Sequence, residues 1–98
     1  MKKIYLSGQI DGLTAEECIR NFEEAAEIAK EVYGEDSIII NPYLLPRIHK
    51  TWADYIIRDL VILKDCDVIV MLSNWVNSSG AKVERIFAEK MGLSVFEI

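Results

Sequence analysis

What most constrains this chain is an alternation: four short apolar runs are separated by three amphipathic stretches of helical period. Lys3-Ile4-Tyr5-Leu6-Ser7 reads as a first strand, halted by Gly8. Residues 15–33 read as a helix, because Cys18, Phe22, Ala25, Ala29 and Val32 recur every three or four positions while glutamates such as Glu16, Glu23 and Glu27 line the opposite side. Thr14 is placed to cap it, with Glu17 three residues on to complete a capping box, and Gly34 to stop it. Ser37-Ile38-Ile39-Ile40 is a second strand that ends at Asn41-Pro42, and residues 43–50 form a loop interrupted again at Pro46. A second helix is predicted from about Trp52 to Lys64, and a third strand over Asp67–Leu72. Its nearly unbroken apolar character is that of a strand covered on both faces. After a polar loop from Ser73 to Ser78, a third helix spans about Gly80 to Met91, stopped by Gly92. Ser94-Val95-Phe96-Glu97 is the last strand.

Strand–helix alternation with continuous apolar strands means an α/β fold built on an open parallel sheet. Right-handed crossovers and a switch point at the first strand give a four-stranded, flavodoxin- or Rossmann-like order, 2-1-3-4, with helices on both faces. The first helix then covers one face and the second and third cover the other. In that arrangement the sheet under strands three and four is bare on the first helix's side, so burial of that surface in a homo-oligomer is expected. The 98 residues make one domain, residues 1–98, and 51% hydrophobic residues suffice for its core.

Charge narrows the partners. Net charge is −5, and both halves are acidic: six basic against nine acidic residues in 1–50, five against seven in 51–98. With no basic patch, a nucleic acid polymer is not an expected partner. The apolar run after Met1-Lys2-Lys3 is too short for a signal peptide or a membrane span. Cys18 and Cys66 are isolated and have no ligand spacing with histidine, so a reduced, cytoplasmic protein is expected, with both cysteines as small buried hydrophobes and no metal or cofactor.

Ligands of such sheets bind at the carboxyl ends of the strands. Three segments meet there: Ser7–Gly12, Asn41–His49 and Ser73–Gly80. None carries a P-loop or a dinucleotide fingerprint. Glu84 shares a helix face with Gly80, Ala81, Phe87, Ala88 and Met91, the side turned to the sheet. A carboxylate there is costly unless something pairs or uses it; a solvated glutamate favoured by the positive helix end is the other reading. Asp59 lies in the most apolar helix, in one stripe with Trp52 and Tyr55, where it is either a boundary residue paired with Arg58 or Lys64 or a second carboxylate converging on Glu84. Such a pair is the equipment of glycosidic chemistry, one acting as nucleophile and the other donating a proton. Ser79 is expected to cap the third helix, whose amides could also seat an anion. Gly8 is a tight-turn residue or a point of close ligand approach, and His49 a surface residue. Around the two carboxylates, Tyr5, Gly8, Asn41, Trp52, Ser78 and Gly80 are the candidate substrate contacts.

Taken in order, Ile4-Tyr5-Leu6-Ser7-Gly8, Asp59-Leu60 with Cys66-Asp67, and Ser78-Ser79-Gly80-Ala81-Lys82-Val83-Glu84 with Ala88 resemble the nucleoside 2-deoxyribosyltransferase superfamily, particularly its small DUF4406-type branch. The resemblance implies N-glycosidic cleavage or exchange on 2′-deoxynucleosides or their 5′-monophosphates, without a cofactor. It matches Glu84 to the nucleophile, Asp59 to the aspartate that helps protonate the leaving base, and Gly8 to the glycine beside the sugar. Ser78 stands six residues before Glu84, where the transferases carry an acid. A serine there is similar to the related deoxynucleoside 5′-monophosphate N-glycosidases and implies a nucleotide substrate. No arginine or lysine in the sequence is clearly aimed at a phosphate. A non-catalytic nucleotide-binding module using the same pocket is the alternative.

Overall fold

A computed structural model describes all residues, 1–98. The elements run β1 (Lys3–Ser7), α1 (Ala15–Tyr33), β2 (Ile38–Ile40), α2 (Trp52–Leu63), β3 (Val68–Met71), α3 (Ser79–Lys90) and β4 (Ser94–Glu97), with single 3₁₀ turns at Pro42–Leu44 and Trp75–Asn77. The four strands form one parallel sheet in the order β2-β1-β3-β4. This is the expected topology, and it puts the carboxyl end of β1 at the switch point between β2 and β3.

The period-two alternation of β1 sorts its side chains between two cores. Ile4 and Leu6 join Phe22 and Ala25 of α1, with Val68 and Val70. Tyr5 faces the other side with Leu63, Ile69, Met71, Ala81 and Ala88. Thr14 and Glu17 form the expected capping box at the start of α1. Its end at Gly34 has φ near 110°, a conformation in which a β-carbon is strained. Cys18 and Cys66 are free and buried, and burial raises both thiol pKa values.

Three expectations are corrected. Ser78, not Ser79, caps α3: its side chain accepts a hydrogen bond from the amide of Ala81, and the helix begins at Ser79. Ser79 as cap would have put that bond one residue later. Met91, assigned to the buried face of α3, is half-exposed because it is the cap residue at the helix end. The bare sheet surface is also smaller than expected. All four residues of β3 are buried, because α1 is long enough to reach across β1 and cover it. Only β4 remains partly open there, with Ser94 exposed and Phe96 half-buried edge-on against Tyr33. No helix is long and apolar enough to cross a membrane.

At the sheet's carboxyl edge β1 and β3 close on one another, and the amide of Leu72 donates to the carbonyl of Ser7 at 2.8 Å. A β-carbon on Gly8 would stand 2.8 Å from both Cβ and Cδ2 of Leu72. Gly8 is therefore demanded by packing between strand ends and not by a left-handed backbone. Gly8→Ala should destabilise the fold by about 1–3 kcal/mol, the usual cost of overpacking. Urea unfolding would measure it, and an unchanged midpoint would mean that Leu72 can yield.

Candidate active site

Side chains of β1, α2 and α3 meet at the switch point, around a cavity of about 330 Å³. That is within the range of small-molecule sites. Glu84 lies one turn into α3, on the face that also buries Ala81 and Ala88 against the sheet. It is only 5% exposed, yet it lines the cavity. The two buried hydroxyls opposite it belong to β1: Tyr5 Oη donates to Glu84 Oε2 and Ser7 Oγ to Oε1, each at 2.7 Å. Tyr5 and Ser7 are two apart on the strand and so point to one face. The pairing satisfies a carboxylate that would otherwise be expensive to bury.

Burial is the largest influence on Glu84 and pushes its pKa up to about 7; the bonds from Tyr5 and Ser7 oppose this, and the charge of Asp59 adds to it. The Tyr5 phenol is held above its ordinary value by burial first, then by the negative charges of Glu84 and Asp59. Asp59 comes from α2 and is 8% exposed. Arg58 Nε and Nη2 both donate to its Oδ1, at 3.1 and 2.9 Å, and Arg58 Nη1 donates to the Pro46 carbonyl at 2.6 Å. Both sequence readings of Asp59 therefore hold together: it is paired with Arg58 and it lines the same cavity as Glu84. The apolar stripe of α2 had this consequence because Trp52, Tyr55 and Asp59, spaced by three and four, all turn to the cavity.

Gly8, Trp52, Ser78 and Gly80 line the cavity. Gly80 lets α3 approach α2, since a β-carbon there would lie 3.1 Å from Ile56 Cδ1. Two candidates stand elsewhere. Tyr5 is completely buried behind Glu84 and contacts it in place of the cavity. Asn41 spends its Oδ1 on the amide of Tyr43, capping the turn at Pro42. His49 is half-buried, edge-on to Tyr55 at 5.2 Å. The sequence reading missed Ser7, although hydroxyls alternating on one strand face were a usable sign. It also missed Arg47 and Lys50, which line the cavity with Arg58. Both come from the loop ahead of α2, whose placement has no periodic signature.

No three or more His, Cys, Asp or Glu side chains are grouped so as to hold a metal. The arrangement instead offers one buried carboxylate, held in place by two hydroxyls, and a second carboxylate beside it.

A family model described as "Domain of unknown function (DUF4406)" matches residues 2–97. Among solved structures, a 2-desoxiribosyltransferase from Leishmania mexicana has a similar fold, with a TM-score of 0.63 and 17% sequence identity. The match covers 100% of this chain and 64% of that protein. No curated protein matches the sequence.

The raised pKa of Glu84 makes a stability prediction. The folded state holds the proton more tightly than the unfolded chain, so the penalty for burying the charge is absent below about pH 4.5 and grows as pH rises towards 7. Glu84→Gln removes the charge while keeping a side chain of the same shape. It should stabilise the protein by up to roughly 3 kcal/mol at pH 8 relative to wild type, and by much less near pH 4.5. Thermal unfolding of both proteins across this range checks it. A difference independent of pH would mean that Glu84 is not a strained, buried carboxylate.

Proposed function

We propose a chemistry for this chain, which belongs to the DUF4406 family: it cleaves or exchanges the N-glycosidic bond of 2′-deoxynucleosides or their 5′-monophosphates. The observation that carries this reading is Glu84, a cavity-lining carboxylate fixed by Tyr5 and Ser7 with Asp59 alongside. A carboxylate held in one orientation is suited to attack carbon, because little freedom is lost on reaching the reacting geometry.

In the first half of the reaction a Glu84 oxygen forms a bond to the anomeric carbon as the bond to the base nitrogen breaks. The electron pair leaves with the base, and the one proton that the two carboxylates share, held by Asp59 when Glu84 is ionised, is supplied through Oδ2, the oxygen that Arg58 does not hold. In the second half a new base or a water attacks the same carbon, Glu84 departs as carboxylate, and Asp59 recovers a proton from the nucleophile. Burial of Glu84 supports transfer by limiting water at the intermediate. Trp52, which lines the cavity wall and is half-exposed, supplies aromatic surface for the base.

The test is chromatographic detection of free base when the protein meets deoxynucleosides and their 5′-monophosphates, with and without a second base. Glu84→Gln should lower release by roughly a thousandfold or more. Because the reaction needs an ionised nucleophile and a proton on its partner, the two carboxylates must hold one proton between them, and kcat/KM should fall as pH rises through about 7 and the pair loses that proton. Dependence on an acceptor base separates exchange from hydrolysis. Binding of substrate with no release would instead support a nucleotide-binding module.

Self-association is part of the proposal. Ile57 and Val61 on α2 and Ile86 on α3 are large, exposed apolar side chains on two helices that pack side by side. Such surface is usually covered by a partner. Light scattering at micromolar concentration should give a multiple of the chain mass, and a strictly monomeric mass would remove this part.

A further inference from the structure

The cavity is graded in charge from floor to mouth. On its floor lie Glu84 and Asp59, both buried, the latter paired with Arg58. Its mouth carries Arg47 and Lys50, both exposed and both from the segment leading into α2. Neither makes an ion pair, whereas Arg58, Lys64 and Arg85 are all matched to carboxylates. Asp11 is the one further acid on the cavity wall, and it is not paired with either cation. Only Arg58, Lys64 and Arg85 of the eleven basic residues are paired, so what distinguishes Arg47 and Lys50 is their place: in a chain of net charge −5, both stand beside one small cavity.

Arg47 is also held in place. Its guanidinium lies 5.3 Å from the centre of the Tyr55 ring, the guanidinium of Arg58 lies 5.1 Å from the same ring, and His49 packs edge-on against it. A cation–π contact of this kind fixes the fork of an arginine without using its N–H donors. Arg58 ties down the loop by donating to the Pro46 carbonyl, one residue before Arg47. The hydroxyl of Ser78 lines the same cavity, and because its oxygen only accepts, from Ala81, its hydrogen is free to donate. Donors thus gather at the mouth, while the reacting carboxylates sit at the floor.

We propose that Arg47 and Lys50 form a subsite for a phosphoryl group, making phosphorylated substrates the preferred class. This rests on the nucleoside reading of the cavity, with the sugar over Glu84 and its phosphorylated end towards the mouth. A planar guanidinium takes two phosphate oxygens at once and an ammonium adds a point charge. Each such contact is worth about tenfold in affinity. A neutral nucleoside gains nothing from either residue, so the pair sets specificity and leaves the bond-breaking step to Glu84 and Asp59.

Calorimetric titration of a deoxynucleoside, its 5′-monophosphate and inorganic phosphate, at fixed salt, tests this without relying on turnover. Wild type should bind the monophosphate about a hundredfold more tightly than the nucleoside. Arg47→Gln and Lys50→Gln should each remove about tenfold of that preference, and the double variant nearly all of it, with nucleoside affinity unchanged. Inorganic phosphate should compete with the monophosphate in wild type and not in the double variant. Both side chains are exposed, so the variants should fold; if the double variant loses its circular dichroism, the single variants are read in the same way. No preference in wild type, or an undiminished preference in the variants, overturns the subsite. A preference that depends on these residues, without base release from any substrate, leaves the subsite standing and removes the glycosidic reading.

Discussion

The bond pair from Tyr5 and Ser7 to Glu84 is the interaction on which the rest of this structure depends. A carboxylate this deep is tolerable only if each oxygen finds a donor, and both donors come from one strand face two residues apart. That requirement fixes how α3 sits on β1. It also asks that β1 be central, since an edge strand could not place two hydroxyls beneath a helix packed over β3. Gly8 then lets β1 end tightly against Leu72 and deliver the following loop to the cavity.

The arrangement stabilises less than an apolar one would. Two buried hydroxyls and a carboxylate replace what could be ordinary core, and the carboxylate is held at a pKa of about 7, where its charge is costly. Elsewhere in this small domain polar groups are kept out of the sheet face: Tyr5 is flanked by Ile69 and Ile40, and Ser7 by Met71. A polar cluster retained in such surroundings, at the carboxyl edge of a parallel sheet, is where a binding or reacting function is expected.

What the sequence disclosed follows from where its information is periodic. Continuous apolar strands alternating with helices of period 3.6, joined by right-handed crossovers about a first-strand switch point, predicted the order 2-1-3-4. They placed Glu84 on the inner face of α3 and put Trp52, Tyr55 and Asp59 on one stripe. The failures fall where periodicity stops. Ser78 and Ser79 are adjacent residues of equal capping chemistry, and only the backbone decides between them. Met91 carried the inner-face spacing but sits past the end of α3, where the helical rule no longer applies. The coverage of β3 depended on the reach and tilt of α1, which a hydrophobic pattern does not encode. Tyr5 was a candidate substrate contact, but burial made it a partner of Glu84. Arg47 and Lys50 lie in a proline-broken loop, where only three-dimensional placement brings them to the cavity mouth.

This division between periodic framework and irregular loop is also a division of labour. The two carboxylates ride on helices whose faces are set by core packing, so their separation and orientation are fixed by the same contacts that hold the fold. The groups that would meet the variable part of a substrate sit on residues 43–50 and at the start of α3, outside those contacts. Likeness of fold therefore speaks to the framework and leaves the loop open. The loop is nevertheless tied to the floor through one residue: Arg58 binds Asp59 with two of its nitrogens and the Pro46 carbonyl with the third. A movement of the 43–50 segment that broke the Pro46 contact would free Arg58 to shift, and with it the hydrogen bonds that orient Asp59. The recognition proposed for the mouth and the proton delivery proposed for the floor would thus be mechanically joined, although Arg58 itself need not touch the substrate.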